Sequence, residues 1–331
     1  MSENGFIDRN NRVINYLRIS LTDRCNLRCA YCMPEEGIPT LPHEEVLTYE
    51  EILRLTRLAV RGGIRKVRLT GGEPLVRKGV VEFLCRLEKL EGLEVIGLTT
   101  NGVLLADYAE DLRACGVSRV NVSLDTLRPE RYAQITRRDA FQHVWEGLQA
   151  AERAGFKPIK INVVVMRGVN DDEILDFARL SLERPYHVRF IEFMPVGAEN
   201  GWTEERFLST DEIRERIQRL GPLRSLEHRA MDGPAERFVL EGARGEIGFI
   251  GALSHHFCSQ CNRLRLTSAG TLRGCLFSDE EIDVKTPLRS GASDEELAGL
   301  IREAIETKPA GHGSLLQSPR KCSRPMSTIG G

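Results

Sequence analysis

The sequence has almost no net charge and no long apolar segment. Its 46 Lys and Arg residues nearly balance 48 Asp and Glu residues, which gives a formal net charge of −2. Proteins that bind nucleic acid over an extended surface normally carry a basic field, so that class is excluded and an anionic ligand needs a local cluster of cations. No apolar run approaches the roughly 20 residues that span a bilayer. We therefore expect no nucleic-acid partner and no membrane partner.

The first residues also lack the apolar core of a secretory signal peptide. We expect a cytoplasmic protein, in a compartment where disulfides are rare. The nine cysteines therefore indicate metal binding or catalysis first. With 331 residues, 41% of them hydrophobic, the chain can bury a sizeable core and form either one large domain with an appendage or two domains.

Six β-rich runs alternate with helical patterns in the first two thirds of the sequence. They lie at 14–20, 64–70, 94–100, 118–124, 159–166 and 187–194. Repeated strand–helix units predict a parallel sheet with right-handed crossovers. Six units rather than eight predict an α/β fold, a partial, open (β/α)6 TIM-type barrel over residues 1–220. Residues 221–331, with a hairpin around 268–270 and a helix near 293–306, are predicted to form a C-terminal extension on the open side of the barrel.

Polar side chains recur on one face of several predicted strands, because alternate residues of a strand face the same side. They are Arg18 and Ser20; Lys66, Arg68 and Thr70; Asn121 and Ser123; Lys160 and Asn162; and Arg189. Parallel strands that are covered on both faces are normally almost entirely apolar. The pattern therefore predicts a cationic, polar cavity inside the barrel that holds an anion. The alternative, polar strand ends in solvent, would have to recur in strand after strand.

Six of the nine cysteines form two triplets, and neither triplet has a fourth cysteine nearby. They are Cys25, Cys29 and Cys32, spaced C-x3-C-x2-C, and Cys258, Cys261 and Cys275, spaced C-x2-C-x13-C. Electron-transfer clusters normally use four thiolates, so three thiolates indicate a 4Fe–4S cluster with one iron open to a substrate or cofactor. A zinc site completed by histidine is the alternative, chiefly for the second triplet, which has His255 and His256 close by.

The three other cysteines lie outside these triplets. Cys85 and Cys115 fall within helical patterns, where a free cysteine is commonly a buried core residue, and we predict that role for both. Cys322 lies in the tail, and the sequence assigns no role to it.

Short motifs follow the predicted strands. The first triplet follows the first strand, GGEP (71–74) the second, TTNG (99–102) ends the third, SLD (123–125) the fourth and Met194-Pro195 the sixth. The C-terminal ends of strands form the functional face of parallel α/β barrels, so these motifs are predicted to meet at one mouth. Gly71 and Gly72 would let the backbone approach a ligand where a Cβ would clash.

The C-x3-C-x2-C spacing, with Tyr31 before the last cysteine, resembles the signature of the radical S-adenosylmethionine superfamily. The GGEP motif resembles the superfamily segment whose backbone contacts the methionine amino group. Longer stretches resemble the MoaA family of molybdenum cofactor biosynthesis, whose members are GTP 3′,8-cyclases. These stretches are YLRISLTDRCNLRCAYCMP, RLTGGEPLVRK, KINVVVMRGVN, RFIEFMPVG, FIGALSHHFCSQCNRLRLTSAG and SRPMSTIGG.

The resemblance implies two 4Fe–4S clusters and S-adenosylmethionine as cofactors, and conversion of GTP to (8S)-3′,8-cyclo-7,8-dihydroguanosine 5′-triphosphate. The cluster that binds S-adenosylmethionine would be held by Cys25, Cys29 and Cys32, and the substrate-binding cluster of the extension by Cys258, Cys261 and Cys275. S-adenosylmethionine would contact Tyr31, Gly72, Ser123 and Met194. GTP would contact Arg18, Arg68, Thr99, Lys160, Arg263, Leu264 and Arg265.

Four further residues complete the predicted site. The strand pattern adds Lys66 and Arg189 as phosphate contacts, and the resemblance implies that Gly330 and Gly331 of the tail reach into the active site. The family resemblance also implies an external electron donor, a homodimer, and a cyclic pyranopterin monophosphate synthase that receives the product.

Two other functions remain open from the sequence. A radical S-adenosylmethionine peptide maturase with an auxiliary cluster should show a peptide-binding module and more auxiliary cysteines, and neither is visible. A non-catalytic metal-binding or redox-sensing protein would need no pocket for S-adenosylmethionine, yet GGEP and the strand-end residues suggest one.

Overall fold

The computed structural model describes residues 5–197, 200–227, 232–311, 322 and 324–330. These residues contain one twelve-stranded sheet with the strand order β12-β11-β10-β1-β2-β3-β4-β5-β6-β9-β8-β7. The strands are β1 Tyr16–Ser20, β2 Lys66–Thr70, β3 Val95–Thr100, β4 Val117–Ser123, β5 Ile159–Val165, β6 Tyr186–Glu192, β7 Leu223–Leu226, β8 Glu236–Leu240, β9 Glu246–Ile250, β10 Arg263–Leu266, β11 Thr271–Arg273 and β12 Ile282–Asp283.

Ten α-helices are described in the same parts of the chain. They are α1 Tyr49–Arg61, α2 Val80–Glu88, α3 Leu105–Ala114, α4 Pro129–Thr136, α5 Phe141–Arg153, α6 Ile174–Glu183, α7 Thr210–Ile217, α8 Lys285–Arg289, α9 Asp294–Glu306 and α10 Met326–Ile329. Of the helices in the described segments, none has the length and the apolar composition that crossing a membrane requires.

The first six strands form the predicted barrel sheet. Strands β1 to β6 are parallel, and each pairs with the next along the chain. Parallel neighbours need a long crossover, which the helices between them supply. The strand bounds differ from the sequence-based bounds by no more than two residues at either end. The prediction of a partial, open (β/α)6 barrel is confirmed.

Strands from the C-terminal part of the chain continue this sheet at both of its edges. Strand β10 is parallel to β1, with Tyr16 opposite Arg263, and β9 is parallel to β6, with His187 opposite Glu246. Antiparallel hairpins then extend each edge outwards. The extension therefore continues the barrel sheet rather than covering it as a separate layer. The domain boundary at residue 220 stays a prediction.

A large apolar core lies between the sheet and the outer helices. In β1, Leu17 and Ile19 belong to this core, whereas Arg18 lies between them on the opposite face. Helix α1 shows how an outer helix is formed. It begins at a capping box made by Thr48 and Glu51, which satisfies backbone groups that a helix terminus leaves open.

Cys115 lies in the apolar core and Cys85 packs against it, as predicted, but neither is a free cysteine. They are joined by a disulfide that ties α2 to the residue after α3, and their Cα atoms are 4.4 Å apart. This distance lies at the short end of the range that a disulfide requires. Their sequence separation of 30 hides the pairing in the sequence, because only the packing of adjacent crossover helices brings them together.

Candidate active site

The first cysteine triplet lies in the loop after β1, and the GGEP segment after β2 binds that loop through its backbone. The amide of Gly72 donates to the Thr22 carbonyl (2.7 Å), and the amide of Glu73 donates to the Arg24 carbonyl (2.8 Å). A Cβ on Gly72 would lie 2.2 Å from the Arg24 oxygen, so this position requires glycine. The close approach predicted toward a ligand is thus, in the structure, an approach to the cysteine loop itself.

Glu73 of the GGEP segment is fully buried and ties two strand-end loops together. Its carboxylate accepts hydrogen bonds from the Thr100 hydroxyl (2.8 Å) and the Asn101 amide (2.7 Å). Burial raises the pKa of Glu73 to about 7. The Asn101 side chain donates to Asn26 (2.7 Å) and lies 3.8 Å from the Cys25 sulfur. The loops after β1, β2 and β3 therefore form one connected structure at the mouth.

Asp125 of the SLD motif connects the loop after β4 to the same triplet. It accepts a hydrogen bond from the Tyr31 hydroxyl (2.6 Å) and another from the Val164 amide (2.8 Å). Burial raises the pKa of Asp125 to about 6. The Tyr31 ring also meets the ring of Phe193 edge-on, with centroids 6.4 Å apart. Sequence reasoning assigned Tyr31 but missed Asp125 and Glu73, although both stand inside motifs that it identified.

The surroundings of the three thiols of this first triplet favour the neutral thiol over the thiolate. Burial raises the pKa of Cys25, and it raises the pKa of Cys32 to about 12. Burial and the neighbouring Cys32 and Asp125 raise the pKa of Cys29 well above its usual range. A positively charged metal centre favours the thiolate form of such thiols. Three converging thiols of this kind fit a 4Fe–4S cluster.

The second triplet is assembled by β10 and β11. Cys258 and Cys261 stand just before β10, and Cys275 comes just after β11, which pairs antiparallel with it. The ammonium group of Lys308 donates to the Cys261 sulfur (3.4 Å). Burial raises the pKa of Cys261, but the positive charges of Arg263 and Lys308 outweigh burial and lower it to about 6.

The nearby histidines make contacts outside this triplet. Nε2 of His255 lies 2.7 Å from the Asp211 carboxylate, and Nδ1 of His256 lies 3.3 Å from the Ala252 carbonyl oxygen. In the ranges that the structure describes, no group of three or more His, Cys, Asp and Glu side chains is placed to hold a single metal ion. In a cluster, by contrast, each thiolate binds a different iron.

The two triplets lie at opposite ends of the paired strands β1 and β10. The first triplet follows Ser20 at the C-terminal end of β1, whereas Cys261 precedes Arg263 at the N-terminal end of β10. Strands β1 and β10 are parallel, with Tyr16 opposite Arg263 and Arg18 opposite Arg265. At about 3.3 Å per residue, the two ends of β1 are about 13 Å apart. A ligand inside the barrel can therefore lie between both triplets.

Cationic side chains occupy the space between those two ends. Those that are almost fully buried are Lys66, Arg68, Lys160, Arg189 and Arg265, and Arg18 is half-buried. Burial, together with the charges of Arg189 and Arg68, lowers the pKa of Lys160 to about 6. Buried like charges repel one another, so this arrangement is costly without an anion. The predicted polar faces of the strands do point into the barrel.

Tyr16 holds several of these cations and was missed by the sequence analysis. Its hydroxyl accepts a hydrogen bond from Nε of Arg68 (2.7 Å), and Nζ of Lys66 lies 4.3 Å from the centroid of its ring. Although burial raises the pKa of Tyr16, Arg68, Arg18 and Lys66 lower it to about 7. The two-residue period that selected Arg18 and Ser20 also includes Tyr16, so the signal was present.

Two amide oxygens inside the barrel mark space for a hydrogen-bond donor. Among the residues that the structure describes, Oδ1 of Asn121 and Oδ1 of Asn162 are buried and have no hydrogen-bond partner. Unsatisfied buried polar atoms are rare in folded proteins. Thr99 lies on the adjacent strand, with its hydroxyl 3.5 Å from Nη1 of Arg68. The polar interior is therefore adapted to a ligand.

The remaining predicted residues occupy different surroundings. Ser123 ends β4 and is half-buried, and Met194 follows β6 and packs in a small apolar cluster with Val196. The side chain of Leu264 is fully buried in the main apolar core, which leaves only its backbone for a ligand. Arg263 lies beside the second triplet, with its guanidinium 4.8 Å from the centroid of Phe257.

The tail enters the same space. The Gly330 carbonyl accepts hydrogen bonds from Nε of Arg18 (3.1 Å) and Nη1 of Arg265 (2.6 Å). Its φ of +69° lies in the left-handed region, and an added Cβ would lie 3.1 Å from Thr70. Both observations suit glycine at this position. Gly331, the other predicted tail residue, lies outside the described residues.

A cavity of about 960 Å³ opens beside the second triplet and extends toward β8 and β9. Its walls include Phe257, Gln260, Cys261, Asn262 and Arg263. This volume is at the upper end of the range for pockets that bind small molecules. Of the predicted GTP contacts, Arg263 lines it. Its aromatic and amide residues, Phe257 and Asn262, were not identified from the sequence.

The fold and the cysteine site define a radical S-adenosylmethionine enzyme. Residues 19–181 match the family described as the Radical SAM superfamily, and residues 186–314 match Molybdenum Cofactor Synthesis C. Together with the full-length relatives described next, these matches show that the chain belongs to the GTP 3′,8-cyclase family. Membership implies a 4Fe–4S cluster and S-adenosylmethionine as cofactors.

Three curated relatives named GTP 3′,8-cyclase cover almost the whole chain. The protein of Thermodesulfovibrio yellowstonii is 54% identical over 98% of this chain and 99% of its own length. That of Heliobacterium modesticaldum is 52% identical, over 98% and 100%, and that of Geobacter sulfurreducens 49%, over 98% and 99%. Among solved structures, Streptococcus suis SuiB bound to S-adenosylmethionine superimposes with a TM-score of 0.62 at 16% identity, over 88% of this chain and 68% of SuiB. That likeness shows the fold alone.

Proposed function

We propose that this chain converts GTP to (8S)-3′,8-cyclo-7,8-dihydroguanosine 5′-triphosphate, the first step of molybdenum cofactor biosynthesis. One structural observation carries the proposal. Two cysteine triplets lie at opposite ends of the paired strands β1 and β10, and buried cations fill the space between them. The full-length similarity to proteins named GTP 3′,8-cyclase supports the same reaction.

At the mouth of the barrel, the chain's residues bind and shield the radical source. Cys25, Cys29 and Cys32 would hold the first cluster, and Tyr31, Gly72, Ser123 and Met194 would line the pocket for S-adenosylmethionine. When bound, cluster and cofactor together supply an electron and a 5′-deoxyadenosyl radical that removes the hydrogen from ribose C3′. Glu73 and Asp125 hold the surrounding loops together through hydrogen bonds to Thr100 and Tyr31.

Inside the barrel, the cations bind the triphosphate. A nucleoside triphosphate carries about four negative charges, and arginine recognises phosphate through several donors at once. The proposed contacts are Arg18, Lys66, Arg68, Thr99, Lys160, Arg189, Arg263 and Arg265, with Leu264 contributing its backbone. Their charges offset those of the phosphates. Binding of the triphosphate fixes the ribose between the two ends of the barrel, where the triplets lie.

At the end of the barrel opposite the mouth, the second triplet binds the base. Cys258, Cys261 and Cys275 would hold a second 4Fe–4S cluster whose open iron receives the guanine. The cavity lined by Phe257 and Asn262 provides space for it there. With the base fixed, ribose C3′ can bond to C8, and one further electron and a proton complete the product. Gly330 and Gly331 would reach into the active site from the tail.

The proposal includes partners and a location. An external donor must supply the electrons, and a cyclic pyranopterin monophosphate synthase would receive the product. We also propose a homodimer that works in the cytoplasm. The donor, the synthase and the homodimer rest on the family resemblance, and the location is the one expected from the sequence.

The two alternative functions are less well supported. SuiB was also solved with its precursor peptide SuiA, but at 16% identity the likeness covers the fold and not the substrate. Five almost fully buried cations suit a nucleotide better than a peptide. A non-catalytic role in metal binding or redox sensing explains neither the buried cations nor the interlocked loops of the mouth.

Anaerobic reconstitution tests the proposal. The protein is loaded with iron and sulfide, its iron, sulfide and zinc are measured, and it is incubated with reductant, S-adenosylmethionine and GTP. We expect about eight irons per chain, four for each cluster. We also expect release of 5′-deoxyadenosine and conversion of GTP to a cyclised triphosphate. About four irons with one zinc, and no GTP conversion, would contradict the proposal.

A further inference from the structure

Lys308 is a buried lysine beside the second triplet that no part of the proposed reaction uses. It stands two residues after the end of α9 and is only 4% exposed. A buried ammonium group is costly to desolvate and persists only where several groups bind it. Its surroundings therefore indicate what the charge does there.

The ammonium group of Lys308 joins both arms of the triplet. It donates hydrogen bonds to the Cys261 sulfur (3.4 Å) and to the Arg263 carbonyl (3.0 Å), both at the start of β10. It also donates to the carbonyl of Gly274, the residue before Cys275. The pairing between β10 and β11 ends at Arg265 and Arg273, so Lys308 links the two segments beyond the ladder.

The backbone around Lys308 is fixed by other contacts. The next two residues, Pro309 and Ala310, each accept a hydrogen bond through their carbonyls from Arg12, at 2.7 and 3.2 Å. The same guanidinium donates to the Cys258 carbonyl (2.8 Å) and is held by Asp8 (2.6 Å). The segment that carries Lys308 is thus linked through Arg12 to Cys258, the remaining cysteine of the triplet.

We infer that Lys308 is a positioning residue for the second cluster: it sets the place of the Cys261 ligand and supplies a fixed positive charge to it. The inference rests on the proposed function, because it requires an iron–sulfur cluster on this triplet. Hydrogen bonds to ligating sulfurs and nearby charge tune the reduction potential of such clusters. A fixed cation stabilises the reduced, more negative form and so raises the potential.

The test uses the full chain with the first triplet removed, as C25A/C29A/C32A, so that iron reports on the second triplet alone. Iron, sulfide and the midpoint potential are measured by a redox titration followed by electron paramagnetic resonance. In this parent we expect about four irons per chain. Lys308→Gln should lower the potential by about 59 mV or more, a tenfold change in the ratio of reduced to oxidised cluster.

Two variants serve as controls. Lys308→Arg keeps the positive charge and should keep the potential of the parent. Lys89→Gln changes an exposed lysine after α2 and should leave the potential unchanged. Equal potentials in Lys308→Gln and the parent overturn the inference while the second cluster stands.

Two further outcomes also decide the question. If Lys308→Gln loses its iron, retention by Lys308→Arg supports the inference, and loss in both variants overturns it. If the parent itself binds no iron, the second cluster of the proposed function fails and the inference fails with it. Binding of S-adenosylmethionine and its cleavage by the first cluster are then assayed separately in the chain with all six cysteines.

Discussion

The two cysteine triplets differ in the sign of the charges around them. Beside the first triplet lie the buried acids Asp125 and Glu73, and the pKa of Cys29 is raised well above its usual range by burial, Cys32 and Asp125. Beside the second triplet lie Lys308 and Arg263, whose charges outweigh the effect of burial and lower the pKa of Cys261 to about 6. One chain thus builds two contrasting electrostatic sites.

This contrast teaches how one protein can separate two redox roles. Reduction adds negative charge to a cluster, so nearby acids lower the reduction potential and nearby cations raise it. The first site therefore suits a strong reductant, which cleavage of a sulfonium requires. The proposed second cluster would lie close to an anionic substrate. The three predictions below test this contrast.

Removal of one thiol from each triplet should have opposite consequences for the two half-reactions. Cys29→Ala should abolish release of 5′-deoxyadenosine, because the first cluster loses a ligand. Cys261→Ala should retain that release but abolish cyclisation of GTP, because the base is no longer held. Each variant should keep about four irons per chain. Iron analysis and chromatography of both products provide the measurement.

The matched control is the double variant C85A/C115A, which removes two cysteines from the outer helices. It should keep about eight irons and both half-reactions. If Cys261→Ala also loses release of 5′-deoxyadenosine, or if Cys29→Ala retains it, the division of roles between the triplets is wrong.

Loss of the Tyr16 hydroxyl should weaken the binding of GTP by the cationic interior. Tyr16→Phe removes the oxygen that accepts from Arg68, while the ring that faces Lys66 stays in place. A hydrogen bond to a charged group contributes about 1.5 kcal/mol, so we expect the Kd for GTP to rise about tenfold. Iron content and release of 5′-deoxyadenosine should stay unchanged. Equilibrium binding of GTP provides the measurement.

Tyr49 offers a matched control for Tyr16. The guanidinium of Arg77 lies 4.2 Å from the centroid of the Tyr49 ring, and the Tyr49 hydroxyl donates to the Lys78 carbonyl (3.1 Å). It stands at the start of α1, outside the barrel interior. Tyr49→Phe should therefore leave the Kd for GTP unchanged. An equal effect of both substitutions would argue against a specific role for Tyr16.

The barrel could be predicted from the sequence because its signals are local. Each of the six strands is a short β-rich run followed by a helical pattern, and parallel order follows from that alternation. The hairpin expected around 268–270 is formed by β10 and β11, but the pairing of β10 with β1 and of β9 with β6 was not predicted. Pairing of Arg263 with Tyr16 joins residues far apart in the sequence, and no local pattern encodes it. The same reason conceals the Cys85–Cys115 disulfide.

The site could be predicted only where chemistry is concentrated in a motif. Cysteine spacing and the strand faces identify the two triplets and the cations between them. Lys308 follows a helix and carries no periodic signal, and its contacts with Cys261 and Gly274 arise only in the folded chain. Asp125 lies within a recognised motif, yet its hydrogen bond to Tyr31 depends on the packing of two separate loops.

The smallest expected effect is a proton taken up when GTP binds. Burial and the charges of Arg189 and Arg68 lower the pKa of Lys160 to about 6, so at pH 8 this lysine is mostly neutral in the GTP-free protein. Phosphate nearby favours the ammonium form and raises that pKa, so the complex gains a proton. The affinity for GTP should therefore fall as pH rises, by up to about tenfold per unit between the two pKa values.

Calorimetry at pH 8 in buffers of different ionisation enthalpy measures this proton, and at that pH the phosphates of free GTP are already ionised. We expect uptake of close to one proton at Lys160. Further parts come from Lys66, whose pKa burial lowers to about 8 despite the opposing effect of Tyr16, and from Tyr16, whose pKa of about 7 leaves it largely ionised at pH 8. Lys160→Met should remove the larger part, and Lys89→Met none. Undiminished uptake in Lys160→Met would place the proton elsewhere. Loss of uptake would show that the cationic interior takes its full charge only when the nucleotide is bound, unlike the acids that surround the first triplet.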